Sequence, residues 1–83
     1  MTSSIRVVMF SRLDCDGVRA NADLFKLRDD AISFAKDLLQ DEYDQHTLEP
    51  KHFVHKSETH IQYVEEPSFE YAFEILVEQK QIN

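Results

Sequence analysis

Residues 69–77, FEYAFEILV, alternate large apolar side chains with mostly acidic ones. Successive side chains of a β-strand point to opposite faces of its sheet, so this pattern predicts a strand with one buried and one solvated face. The predicted buried side chains are Phe69, Tyr71, Phe73, Ile75 and Val77, and the opposite face carries Glu70, Ala72, Glu74, Leu76 and Glu78. A face with three aromatic rings must be covered by another layer of structure.

The covering layer is predicted to be a helix from Asp29, as its N-cap, to about Tyr43. At about 100° per residue its apolar side chains share one arc, which contains Ala31, Ile32, Phe34, Ala35, Leu38 and Leu39. The opposite arc is strongly acidic, and its carboxylates include Asp30, Asp37, Asp41 and Asp44. One face of this helix is therefore expected to pack on the sheet and the other to face water.

A hairpin is predicted at the beginning of the chain. Residues 4–13 place apolar side chains on both faces of a strand, which is typical of a strand inside a sheet. Asp16 and Gly17 form a turn signal, and Gly17 is the only glycine of the chain. The return strand is predicted to bury its small apolar side, which leaves room for the helix; that side contains Val18, Ala20, Ala22 and Leu24.

The segment after the helix is less regular. Residues 44–59 have no sustained period, and Pro50 prevents a helix from running through them. Residues 53–54 are expected to form a short strand or to plug the edge of the core. Residues 60–65 alternate again and predict a strand that reaches residues 69–77 through a turn at 65–68.

These elements predict one domain, residues 1–83, with the order ββαββ. The fold class is α+β, with a small antiparallel sheet and one amphipathic helix packed on one face. A βαββ order, with residues 14–28 as a loop, is the alternative. If strand 69–77 lies at the rim of the sheet, its unpaired backbone groups would recruit a strand from a second copy, so a homodimer through this edge strand is expected.

The charge of the chain limits its partners. The net charge is −7, with five basic and three acidic residues in 1–28 but four basic and thirteen acidic ones in 29–83. This surface disfavours direct binding of nucleic acid and of anionic membranes. The longest apolar run at the N-terminal end, residues 7–10, is too short to span a membrane. With Cys15 as the only cysteine, no internal disulfide forms and a cytoplasmic location is expected.

The sequence contains no motif that predicts catalysis, a cofactor or a metal site. A single glycine excludes a glycine-rich phosphate loop. The chain contains residues of the types that bind zinc, but their spacing matches no zinc motif. These residues are His46, His52, His55, His60 and Cys15. A small enzyme or metal protein that uses residues 46–60 and Cys15 is therefore kept only as an alternative function.

The acidic residues give the strongest indication of function in this sequence. We call Asp30, Asp37, Asp41 and Asp44 the helix stripe, and Glu70, Glu74 and Glu78 the strand row. Rows of carboxylates can imitate the charges of a nucleic-acid backbone and occupy the basic groove of a nucleic-acid-binding protein.

In size, acidity and predicted fold the chain resembles phage-encoded protein inhibitors, including anti-CRISPR and anti-restriction proteins. That resemblance implies a non-catalytic protein that binds a basic partner, and the helix stripe and the strand row are the predicted contact residues. A structural subunit that completes the sheet of a partner is a further alternative.

Overall fold

The computed structural model describes residues 3–65 and 70–82. Its elements in chain order are β1 (Ser3–Asp14), β2 (Gly17–Phe25), α1 (Arg28–Gln45), a 3-10 turn (Pro50–His52), β3 (Phe53–Lys56), β4 (His60–Val64) and β5 (Ala72–Ile82). The predicted α+β class, with one helix on an antiparallel sheet, is confirmed. Residues 66–69 lie outside the described part of the chain. They include most of the predicted turn at 65–68 and the first residue of the predicted strand 69–77.

The strands form one antiparallel sheet in the order β2-β1-β5-β4-β3. Because β2 is a strand, the alternative in which residues 14–28 are a loop is wrong, and β3 adds one short strand to the predicted order. The rim position considered for residues 69–77 is also wrong. β5 pairs with β1 on one side and with β4 on the other, so its backbone has no free edge for a second copy.

The hairpin between β1 and β2 forms as its sequence predicts. Asp14 pairs with Gly17, so only Cys15 and Asp16 remain in the loop. The backbone N–H of Asp16 donates to Oδ1 of Asp14 at 2.8 Å. Gly17 has φ 115°, which side-chain-bearing L-residues rarely adopt, and this explains the position of the glycine.

The helix begins two residues earlier than its predicted N-cap implies. Its N-cap is Leu27, with φ −108° and ψ 137°, and no side chain caps it. The prediction of Asp29 as N-cap is therefore wrong. Asp29 and Asp30 lie instead in the first turn, where their carboxylates are stabilised by the positive end of the helix dipole.

The core lies between α1 and one face of the sheet. Ala31, Ile32 and Ala35 of α1 pack against a buried layer that contains Val8, Ile61, Tyr63, Tyr71, Phe73, Ile75 and Val77. The rings of Tyr63 and Phe73 stack with their centroids 5.3 Å apart. The burial predicted for alternate residues of β5 is thus confirmed at positions 71, 73, 75 and 77.

The second face of the sheet, which we call the open face, is not covered by any described element. Residue Val8 of β1, on the helix side, pairs with Asp23 of β2, so the apolar alternate residues of β2 point the other way. Val18 is 74% exposed and Leu24 is 67% exposed. The predicted burial of Val18, Ala20, Ala22 and Leu24 under the helix is therefore wrong, because the helix packs on the opposite side of this strand.

In the part of the chain that the structure describes, no helix combines the length and apolarity needed to cross a lipid bilayer.

Candidate functional site

The helix stripe forms a continuous acidic surface along α1. All four aspartates are exposed. At 3.6 residues per turn they fall within an arc of about 60°, and at 1.5 Å per residue they span about 21 Å along the axis. None of them forms an ion pair with another described residue, although the Gln40 side-chain amide donates to Oδ1 of Asp44 at 3.0 Å.

Three members of the stripe, Asp37, Asp41 and Asp44, oppose the stability of the helix that carries them. Asp37 and Asp41 are four residues apart and Asp44 follows three residues later, so like charges are neighbours on the helix surface, at about 0.2–0.5 kcal/mol per pair. Asp44 lies in the last turn, which contains no basic residue. Negative charge at this end of a helix interacts unfavourably with the helix dipole. Asp30, in the first turn, is the one member of the stripe that the helix dipole favours.

Glu74 and Glu78 of the strand row lie on the open face, on the other side of the molecule from the helix stripe. Both have a polar neighbour: Glu74 Oε2 is 2.7 Å from Nε2 of His60, and Glu78 Oε2 is 3.3 Å from Nζ of Lys80. Glu70 is exposed just before β5 begins. The structure therefore does not bring the two rows together into one surface.

A buried polar cluster, which the sequence analysis missed, joins the end of α1 to the sheet. Glu42 is only 2% exposed. Its Oε1 accepts a hydrogen bond from the Tyr71 hydroxyl at 2.9 Å, and its Oε2 accepts one from Nη1 of Arg12 at 3.4 Å. Arg12 also has its Nε 3.0 Å from Oδ2 of Asp14. The cluster thus ties α1 to β1 and β5.

Tyr71 is held in its protonated form by this cluster. Burial raises the pKa of Tyr71 far above its ordinary value, and the hydrogen bond to Glu42 raises it further. The His46 ring stacks on the Tyr71 ring with centroids 4.1 Å apart. The Glu42 carboxylate and the Tyr71 hydroxyl are bonded within the cluster, so the arrangement favours a structural role.

The signal for this cluster was present in the sequence. At the helical angle of about 100° per residue, Glu42 falls in the same arc as Ala35 and Leu38. A carboxylate on a buried arc requires a cation or hydrogen-bond donors. Arg12 lies in register with the buried residues of β1, and it supplies that cation.

The histidines and Cys15 are dispersed. His52 meets Tyr63 edge-on, His55 stacks on His60 at 4.4 Å, and Cys15 is exposed in the first hairpin. Among residues 3–65 and 70–82, no three His, Cys, Asp or Glu side chains are placed to share a metal ion.

Two depressions lie on the open face. The larger, about 470 Å³, has a lining that includes Met9, Ala20, Ala22 and Leu76. The smaller, about 170 Å³, is bordered by residues that include Leu13, Val18 and Ala72. Both are shallow features of the sheet surface; Arg12 borders the smaller one, and Glu42 and Tyr71 line neither.

Comparison with known proteins gives no relative. No family model matches the chain, and searches of curated proteins and of solved structures return no match.

Proposed function

We propose that this protein is a non-catalytic binding module that places its helix stripe against a basic surface of a partner protein. The observation that carries the proposal is the stripe itself: four exposed aspartates, without ion pairs among the described residues, of which Asp37, Asp41 and Asp44 are like-charged neighbours along the helix. Residues that act against local stability are typical of functional surfaces. Lysine and arginine side chains of a partner would relieve the repulsion within the stripe.

The spacing of the stripe sets the kind of groove that it fits. A DNA strand carries one phosphate per about 3.4 Å, so a length of about 21 Å would hold about six phosphates. The stripe offers four carboxylates over that length, along a helix that is narrower than a duplex. It therefore suits a basic groove that contacts a few successive phosphates, and an inhibitor that imitates a nucleic acid is the form of binding module that we favour.

The strand row is the weaker contact surface of the two. Glu74 and Glu78 already have cationic or imidazole neighbours in their own sheet, so binding to a basic partner would first separate these pairs. The helix stripe needs no such rearrangement. A partner that recognises charge would therefore engage α1 first.

Two double variants test the proposal at equal net charge. Asp37→Asn with Asp41→Asn neutralises the middle of the helix stripe, and Glu70→Gln with Glu78→Gln neutralises two members of the strand row; each raises the net charge from −7 by two units. The partner is identified by affinity capture from cells of the native host, and its affinity for each purified variant is then measured by titration calorimetry. The helix variant is expected to bind about 100-fold more weakly, at about tenfold per lost carboxylate, and the strand variant to bind like wild type.

Equal binding by both variants would contradict the role of the helix stripe, and selective loss in the strand variant would transfer that role to the strand row. A salt titration adds an independent check, because an interface built on exposed charge must weaken as ionic strength rises.

A further inference from the structure

We infer that the open face is the interface of a homodimer in which two copies stack their sheets face to face. This inference goes beyond the proposed function and does not depend on it, since the helix stripe lies on the other side of the molecule. The two copies would form four layers, with the sheets inside and the two helices outside.

The amphipathic pattern of the first two strands calls for a second layer. β1 has apolar side chains on both faces, with Val8 and Phe10 toward α1 and Val7 and Met9 toward the open face. Such strands are typical of sheets that are covered on both sides. β2 is inverted with respect to the core over most of its length: Arg19, Asn21 and Asp23 face the helix side, and Val18, Ala20, Ala22 and Leu24 face the open side. Only its last residue, Phe25, packs against the core. This arrangement is unfavourable in an isolated copy and favourable if a second sheet covers the open face.

The surface area of one copy agrees with an uncovered sheet. The chain has 5732 Å² of accessible surface. A globular monomer of 9.8 kDa is expected to expose about 5,200 Å². One copy thus exposes about a tenth more surface than a monomer of its mass, and the large exposed apolar residues include Leu13, Val18 and Leu24 of the open face.

The open face is also large enough for a stable dimer. Its strands have 12, 9, 4, 5 and 11 residues. At about 3.4 Å per residue and about 4.8 Å between strands, they cover about 670 Å². A standard protein interface buries about 800 Å² per partner, and side chains that interdigitate bury more than the flat area of the sheet.

The charge distribution selects a second copy as the occupant. The chain carries a net charge of −7, so most approaches of two copies are repulsive. The open face is the exception: the ion pair of Glu78 with Lys80 lies within it, Glu74 contacts the His60 ring there, and the alternate residues of β2 on this face are uncharged. Two copies can therefore meet at this face with little repulsion.

The shape of the open face suits a self-complementary contact. The depression of about 470 Å³ has small side chains on its floor, among them Ser11, Ala20 and Ala22. Leu24 stands out from the same face and is 67% exposed. In a two-fold stack, each copy offers its protruding side chains to the depression of the other.

A matched pair of variants tests the interface. Ala22→Arg places a long cation on the open face, and Asn21→Arg places the same side chain one residue earlier, on the other face of the same edge strand. Both positions are exposed, so neither change disturbs the core. We expect wild type and Asn21→Arg to sediment at twice 9.8 kDa across the micromolar range, and Ala22→Arg to dissociate at least about 100-fold more readily.

A second variant removes apolar contact without adding bulk. Leu24→Gln is expected to weaken the dimer while the circular dichroism spectrum stays that of wild type. A wild-type chain that remains monomeric into the high micromolar range would overturn the inference. That holds even if native mass spectrometry then shows a small apolar ligand or another protein bound to the open face. A dimer that survives both Ala22→Arg and Leu24→Gln would overturn it as well, because it would use another surface.

Discussion

The hydrogen bond between Tyr71 and Glu42 gives the sharpest test of how this fold is held together. Tyr71→Phe removes one hydroxyl and leaves Oε1 of the buried Glu42 without the donor that lies 2.9 Å away. Hydrogen bonds to charged groups contribute about 1.5–3 kcal/mol to the free energy of unfolding. For a domain of this size a loss of about 2 kcal/mol lowers the melting temperature by about 8–16 °C.

The measurement is urea unfolding followed by circular dichroism, with all proteins at one concentration because dimerisation would add to apparent stability. Tyr43→Phe is the matched control. It deletes the same hydroxyl from a tyrosine that is 39% exposed and whose contact with Lys56 is in solvent, so its effect should stay within about 0.5 kcal/mol. If Tyr71→Phe were also within that range, the buried cluster would not be the anchor of α1 that its geometry indicates.

Two further predictions concern charge. Burial raises the pKa of Tyr71 above its ordinary value of 10.0, so the stability that this group contributes is complete below about pH 10 and falls by about 1.4 kcal/mol per pH unit above it. When the free energy of unfolding is measured against pH, Tyr71→Phe should therefore lose less stability than wild type in the alkaline range. The same slope in both proteins would contradict this. Asp44→Asn removes a negative charge from the last turn of α1 and should stabilise the protein by about 0.3–1 kcal/mol at low salt, with the gain lost at high salt; a destabilised variant in urea unfolding would show that Asp44 has a structural role.

Local patterns in the sequence account for most of the secondary structure. The hairpin turn at Gly17, the alternation before Val77 and the apolar arc of α1 each depend on residues close in sequence, and each prediction is confirmed. The β5 strand extends to Ile82, beyond its predicted end, because its last residues pair with the beginning of β1 and not because of any local alternation. That pairing joins the two ends of the chain and leaves no periodic signal.

The prediction for β2 failed for a different physical reason. Alternation correctly separates Ala20 and Ala22 from Asn21, but it does not say which side another element will cover. The helix packs on the face of the sheet that carries the buried side chains of β5, at the centre of the sheet. The side of β2 that stays uncovered, at the edge, follows from that packing. The same order places the strand row and the helix stripe on opposite sides, which no linear spacing of acidic residues could show.

The central position of β5 has a consequence for how the chain acquires its structure. β5 leaves the ribosome after every other described element, yet it contributes the strand between β1 and β4. Until it emerges, the first hairpin has no neighbour on its inner edge, and the core lacks Phe73, Ile75 and Val77. Closing the sheet requires contacts between residues at opposite ends of the sequence, such as Ser3 with Ile82, and such contacts form slowly because a long loop must first be closed. Nascent chains of this protein therefore expose an unpaired inner strand edge until β5 has been synthesised.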